Sequence, residues 1–266
     1  MSSSLYHIRI ILVEPSGALN IGSISRVMKN MGLTQLVIVN PQCDVLGEEA
    51  TRMAVHAIDL LEAAKIVPDL PTALQGCTRV IATTARDRAI PTALETPRQA
   101  LPWLVESSEP TALLFGREDS GLTNTELNYA TRYIRIPAGS EYSSLNLAQA
   151  VGVCAYELQM CASNSEENLS VDASGEMLRQ QQSIPVRSDV APVELLEGYY
   201  QQLETLLLDI GYLFPHTAPH RMEKLRRLYN RSQLSPNEVA LLRGILSQFR
   251  WALDPEKLDI IARSQD

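Results

Sequence analysis

The sequence predicts an α/β protein with a mainly parallel sheet, followed by a small all-helical module. Three observations carry that expectation. Short apolar runs rich in β-branched residues occur at Ile8–Val13, Leu36–Val39, Arg79–Thr83, Ala112–Phe115 and Tyr133–Ile136. They lack strict polar alternation, as strands covered on both faces do. Helical patterns lie between them, and after residue 162 the character of the chain changes altogether.

In the first helical segment Ile24, Val27, Met28 and Met31 recur at i, i+3, i+4 and i+7, and Asn20 is placed to cap it. A later helix is expected from Ser144 to Met160, with Leu145, Ala148, Val151, Ala155 and Leu158 on one side. Residues 163–190 are polar, aperiodic and free of aromatic side chains, the composition of a linker. Helical patterns then span Pro192–Ile210, Arg221–Tyr229 and Pro236–Leu253, broken by Gly211, Pro215, Pro219 and Ser235-Pro236. The expected organisation is a domain over 1–162, a flexible linker over 163–190 and a helical module over 191–266.

Composition excludes several classes. The chain has 266 residues, 45% apolar and 20% charged, which is ordinary for a folded soluble protein and unlike disordered or collagenous chains. No apolar run approaches the roughly 18 residues of a membrane span, and the start lacks a basic segment followed by an apolar one. Cys43, Cys77, Cys154 and Cys161 share no CxxC spacing. They read as free thiols in a reducing compartment, which predicts a cytoplasmic protein.

Net charge is −8, with −4 in residues 1–165 and −4 in 166–266. Within the second part, 221–250 holds seven basic residues against Glu223 and Glu238, a net of +5. Global acidity argues against coating nucleic acid non-specifically, whereas a basic face on an acidic body suits one defined polyanion.

Open α/β sheets bind ligands beyond the carboxyl ends of their strands. No GxGxxG, GxxxxGK[ST] or GxSxG signature is present there. His216 and His220 have HxxxH spacing, but Pro215 and Pro219 interrupt a common helical face and no third ligand is near. No metal site is expected. Four strand ends are richer. The first leads to N-I-G-S-I-S-R, Asn20 to Arg26, where Arg26 lies about 160° from the apolar face and so is free for a ligand or partner. Another gives T-T-A-R-D-R, Thr83 to Arg88. A third gives L-L-F-G-R-E-D-S-G-L-T, with Gly116 and Gly121 bracketing a charged turn. The last gives P-A-G-S-E-Y-S-S-L-N-L-A, with Ser143, Ser144 and Asn146 at a Ser-capped helix N-terminus whose free N–H groups suit an anion or an adenine edge.

In this order the motifs resemble those of the SPOUT class of RNA methyltransferases: N-x-G-x-x-x-R (Asn20, Gly22, Arg26), L-x-F-G-x-E (Leu113 to Glu118) and S-S-L-N (Ser143 to Asn146). The match spans residues 7–160. The E-Y-S-S-L-N-L-A block and the helices around Lys224–Tyr229 and Leu241–Leu246 are similar to the tRNA cytidine/uridine-2′-O-methyltransferases that modify position 32. The resemblance implies a sheet ending in a C-terminal trefoil knot, S-adenosylmethionine as cofactor, tRNA as substrate and a homodimer. It assigns the cofactor to Thr83, Thr84, Ala85, Gly116, Ile136, Ser143, Ser144 and Leu145, with Gly116 lacking the Cβ that would obstruct the ligand.

It implies catalytic roles for Arg26, Ser144, Asn146 and Glu118. Arg26 acts at the ribose 2′-hydroxyl or, being always protonated, holds the neighbouring phosphate and stabilises the developing alkoxide. Ser144 and Asn146 orient the ribose, and Glu118 positions Arg26 or its loop. Arg88 is a second RNA contact. In the helical module Arg221, Lys224, Arg227 and Arg231 fall within about 120° of one another, beside an apolar face of Met222, Leu225, Leu228 and Tyr229, and are expected on tRNA phosphates. Two alternatives stay open: the same chemistry at another tRNA position or on ribosomal RNA, and a non-catalytic RNA-binding protein of the same fold.

Overall fold

A computed structural model describes residues 5–85, 94–139, 141, 143–167 and 189–253, in two compact units divided after Val186. In the first, strands β1 (Ile8–Val13), β2 (Gln35–Val39), β3 (Lys65–Val67), β4 (Arg79–Thr83), β5 (Thr111–Phe115) and β6 (Arg132–Ile134) form one sheet in the order β3-β2-β1-β5-β4-β6. Every pairing is parallel. Helices α1 (Ala18–Asn30), α2 (Glu48–Ala54), α3 (Ile58–Glu62), α4 (Leu70–Ala73), α5 (Pro97–Ala100), α6 (Pro102–Val105), α7 (Asn124–Leu127) and α8 (Leu147–Glu167) make the connections. The core follows from the apolar runs: all five residues of β5 are buried, as are Ile21, Ile24 and Met28 of α1 and Val151, Ala155 and Leu158 of α8.

Several departures from expectation have local causes. β3 was not anticipated. It has three residues, two of them exposed, on a sheet edge with one neighbour, too short for any periodicity to register. β6 ends at Ile134 rather than Ile136, where β4 runs out opposite it. Beyond that point Arg135 donates its N–H to the Glu95 carbonyl instead.

Asn20 does not cap α1. The helix starts two residues earlier, with Gly17 at the N-cap and no side-chain cap of its own. α8 is capped by Asn146 and not by serine: the Asn146 side-chain oxygen accepts from the N–H groups of Ala148 (2.9 Å) and Gln149 (3.3 Å). These two donors are thereby unavailable to a ligand. At its other end α8 continues through Glu167, into residues expected as linker, because extending a formed helix needs no new nucleus. The remainder of that segment, 168–188, lies outside the described residues.

Gly22 of the first motif is a packing residue. α1 lies against α2 so closely that a Cβ at Gly22 would stand 2.1 Å from the Ala50 carbonyl oxygen.

The second unit holds α9 (Val193–Asp209), α10 (Ala218–Asn230) and α11 (Pro236–Ala252). Their common core contains Tyr199, Tyr200, Leu203, Leu206, Leu213, Met222, Val239 and Leu246. α10 begins three residues before the predicted Arg221. Pro219 sits in its first turn, where a missing N–H leaves no bond unmade. Ser235 and Glu238 form a capping box on α11. Leu228 departs from its predicted place: it is exposed rather than packed with Met222. Among the described residues no helix is long and apolar enough to cross a membrane, and all four cysteines are free.

Candidate active site

A cavity of about 340 Å³ opens at the carboxyl ends of β4, β5 and β6. Its walls are the segment after β4 (Thr83, Thr84, Ala85), the turn after β5 from Phe115 to Leu122, the end of β6 with Ile136, and Ser143 to Leu145 ahead of α8. All eight residues expected to contact cofactor line this one cavity. Ser144 is exposed at it, and Glu118 also contributes to its wall.

The turn after β5 is built by backbone contact. Gly121 adopts φ +69°, a conformation that favours glycine, and its N–H bonds back to the Arg117 carbonyl at 3.0 Å. A Cβ on Gly116 would stand 2.2 Å from both the Gly121 carbonyl carbon and the Leu122 nitrogen. Gly116 is therefore needed so that the turn can close on itself. The expectation that its Cβ would intrude on the ligand is corrected: the atom would point into protein backbone.

Arg117, which none of the sequence motifs singles out, clamps this turn. Its Nε donates to Glu14 at 2.7 Å, and Nη1 and Nη2 donate to the two oxygens of Glu126 at 3.1 and 3.0 Å. The fork geometry of guanidinium and carboxylate favours such pairing. Thr123 and Glu126 form a capping box on α7. That T-x-x-E signature was the available clue that Glu126 is held in place.

Glu118 links two of the motifs. One carboxylate oxygen accepts from the Ser16 N–H (3.0 Å) and hydroxyl (3.1 Å). The other accepts from the Gly17 N–H and the Asn20 amide, both at 3.0 Å. It thus supplies the cap that α1 lacks, at the end where the helix dipole favours a negative charge. The Asn20 side-chain oxygen in turn accepts from the Asn146 amide at 2.9 Å. Glu118, Asn20 and Asn146, one from each motif, form a continuous chain of side-chain hydrogen bonds. The Asn146 side-chain oxygen and one N–H of its amide are thereby engaged within the protein.

Burial opposes ionisation of Glu118, but the hydrogen bonds from Ser16, Asn20 and Gly17 outweigh it and hold the carboxyl below its ordinary value. Burial likewise opposes ionisation of Glu126, and Arg117 and Thr123 outweigh it there. Carboxyls depressed on folding add stability above their unfolded value near 4.5, and this is lost as pH falls through their folded values. The melting temperature should therefore drop on acidification below about pH 4.5. A Glu126→Gln variant should melt lower than wild type at pH 7 but lose less between pH 5 and 3. An unchanged acid slope would remove the clamp from the account.

Arg26 is exposed on α1, makes no hydrogen bond or ion pair among the described residues and does not line its own cavity. Glu118 bonds the loop ahead of α1, not Arg26. Arg88 lies outside the described residues. In the second unit Lys224 and Arg231 are exposed. Arg221 is exposed too, but donates to the Tyr212 carbonyl at 2.8 Å, and Arg227 is half-buried beside Glu223 at 3.5 Å. Among the described residues no group of three or more His, Cys, Asp or Glu is gathered to hold a metal ion.

The all-parallel sheet and a strand-end cavity, lined by the second and third motifs and tied to the first through hydrogen bonds of Glu118 and Asn146 to Asn20, define a methylase of the SpoU class, and residues 7–156 match the SpoU rRNA Methylase family. Residues 194–258 match the C-terminal domain of the tRNA methyltransferase TrmJ. The chain is 42% identical over 250 residues to the tRNA (cytidine/uridine/adenosine-2′-O-)-methyltransferase TrmJ of Pseudomonas aeruginosa, covering 92% of this chain and 94% of that one. It is 40% identical to the tRNA (cytidine/uridine-2′-O-)-methyltransferase TrmJ of Pectobacterium atrosepticum, covering 94% and 99%. The crystal structure of TrmJ from Z. mobilis superposes with a TM-score of 0.76 at 33% identity, over 91% of this chain and 98% of that one. The chain belongs to the TrmJ family of tRNA 2′-O-methyltransferases.

Proposed function

We propose that the protein methylates the ribose 2′-oxygen of cytidine or uridine at position 32 of the tRNA anticodon loop, using S-adenosylmethionine and acting as a homodimer. The observation that carries this reading is the convergence of three distant motifs, through Glu118, Asn20 and Asn146, beside one cofactor-sized cavity. The residues present fit the cofactor. Thr83, Thr84 and Ala85 leave room near backbone, Ile134, Ile136 and Leu122 offer apolar surface to a purine, and the charge of Glu118 suits a cationic donor.

When bound, the cofactor would supply an activated methyl group to an attacking oxygen, with S-adenosylhomocysteine released. The protein's part is orientation and charge. Ser144 lies at the cavity with its hydroxyl available to the ribose. Arg26 holds the adjoining phosphate through its guanidinium fork and stabilises the developing alkoxide. Because Arg26 does not line its own cavity, it serves the partner's. An exposed apolar row on α8, Val153, Tyr156 and Met160, supports a second copy packing there. The trefoil knot belongs to the same reading. β6 pairs with β4 on one side, while on its other side Ile134 bridges Glu95, where the chain leaving β4 returns. Such bracketing is what a strand threaded through a loop requires. The exposed Lys224 and Arg231 of the second unit are assigned to tRNA phosphates, and the four free thiols suit work in the cytoplasm.

Purified full-length protein, incubated with S-adenosylmethionine and an unmodified tRNA transcript, should yield 2′-O-methylcytidine or 2′-O-methyluridine. Nuclease fragments analysed by mass spectrometry should carry it at position 32, and a 2′-deoxy substitution there should abolish the product. Methylation mapped elsewhere, or on ribosomal RNA alone, would replace this reading.

A further inference from the structure

The segment joining α9 to α10, which carries His216 of the interrupted HxxxH pair, is an unusual piece of surface. Leu213 is 1% exposed in the core of the helical unit, while its neighbours Tyr212 and Phe214 are 57% and 52% exposed. The backbone leaves these rings no choice. Gly211 turns the chain at φ +74°. The Leu213 N–H bonds to the Leu207 carbonyl at 2.9 Å, and the Phe214 carbonyl accepts from Thr217 and Ala218 N–H groups, both at 2.8 Å. With Leu213 anchored inward, the rings on either side are held outward.

Each ring has a partner. The Arg221 guanidinium sits 5.6 Å from the Tyr212 ring centre and also donates to the Tyr212 carbonyl at 2.8 Å. His216 stacks on Phe214, with centroids 6.0 Å apart and planes at 23°. The exposed Lys224 lies one turn along α10 from Arg221. The result is a preorganised ledge of exposed π-surface beside cations, in a chain whose residues 221–250 carry a net of +5. Rings plus positive charge are the recognition chemistry of unpaired nucleotides: bases stack on aromatics regardless of identity while phosphates meet Arg and Lys.

We propose that Tyr212, Phe214 and His216, with Arg221, form a base-stacking site for unpaired nucleotides of the bound RNA, separate from the methyl-transfer cavity. It rests on the tRNA reading above and deepens it: the helical unit would bind by stacking as well as by charge.

The test compares two variants of the full-length chain, Tyr212→Ala/Phe214→Ala and Lys224→Ala/Arg231→Ala. Binding to an unmodified tRNA transcript, an unstructured RNA oligonucleotide and a blunt RNA duplex is measured across a salt series, with light scattering for oligomeric state. All four side chains are exposed, so both variants should keep the wild-type fold. The aromatic variant should bind tRNA and the oligonucleotide on the order of tenfold or more weaker. Its duplex binding and salt slope should be unchanged, and Tyr212→Phe should restore it. The basic variant should instead show a salt slope shallower by about one to two. Wild-type binding by the aromatic variant alone would overturn the stacking site and leave the phosphate role standing. Wild-type binding by both variants would overturn the tRNA-reading role together with the site. A change of oligomeric state in the aromatic variant would make the ledge a protein contact and overturn the proposal.

Discussion

Arg26→Ala is expected to lower the rate of methyl transfer by about a thousandfold, with S-adenosylmethionine affinity within about twofold of wild type. Arg26 is exposed, unpaired among the described residues and outside the lining of the cavity, so its loss removes nothing that holds the fold or lines the pocket. Surface truncations of that kind change stability by about 0.5 kcal/mol or less. In the role proposed for it, what goes is the cation available where negative charge develops on the 2′-oxygen. Arg26→Lys should recover only part of the rate, since an ammonium keeps the charge but not the fork that grips a phosphate. Single-turnover rates with enzyme in excess over tRNA, set beside calorimetric titration of the cofactor, make the comparison. A loss of cofactor affinity as large as the loss of rate would reassign Arg26 to the pocket or the fold.

Gly116→Ala is expected to do nearly as much damage as Gly116→Val. The obstruction is the Cβ itself, 2.2 Å from two backbone atoms of the turn, and the extra methyls of valine add little to it. The turn cannot simply move, because Arg117 ties it to Glu14 and Glu126. Overpacking of this kind costs about 1–3 kcal/mol, or a drop in melting temperature on the order of 2–12 °C for a chain of this size. As the turn forms a wall of the cavity, cofactor affinity should fall by about tenfold or more. Differential scanning fluorimetry and calorimetry on both variants provide the check. A silent alanine beside a damaging valine would mean that the side chain points toward ligand space after all, as the motif alone suggests.

Much of this protein is legible in its sequence. Apolar runs locate five of the six strands, because a strand buried on both faces must be apolar along its length. Period-3.6 patterns locate α1, α8 and the three helices of the second unit, because side-chain direction is tied to backbone rise and turn. The family resemblance carried by the strand-end motifs assigns eight residues to the cofactor, and all eight are among those lining the cavity, at the edge where an open α/β sheet offers its ligand site. What a linear pattern does not carry is the partner of a given polar group. The sequence predicts local caps for α1 and α8, Asn20 and a serine. In the fold, Glu118 caps α1 from about a hundred residues away, and Asn20 is spent joining Glu118 to Asn146.

That exchange is decided by strand order. β1 pairs with β5, so the loop leaving β1, with Glu14, Ser16 and Gly17, lies beside the turn leaving β5, with Arg117 and Glu118. Only this adjacency makes the Arg117 clamp and the Glu118 cap possible, and only the closed turn reveals why residue 116 must be glycine. The sequence by itself determined which segments are strands, which are helices and which residue types gather at the strand ends, because burial and periodicity are properties of neighbouring residues. The tertiary structure alone decided which side chains hold the site open and which are left for substrate. Hydrogen bonds of about 3 Å depend on contacts between segments far apart in the chain, and no local pattern encodes those.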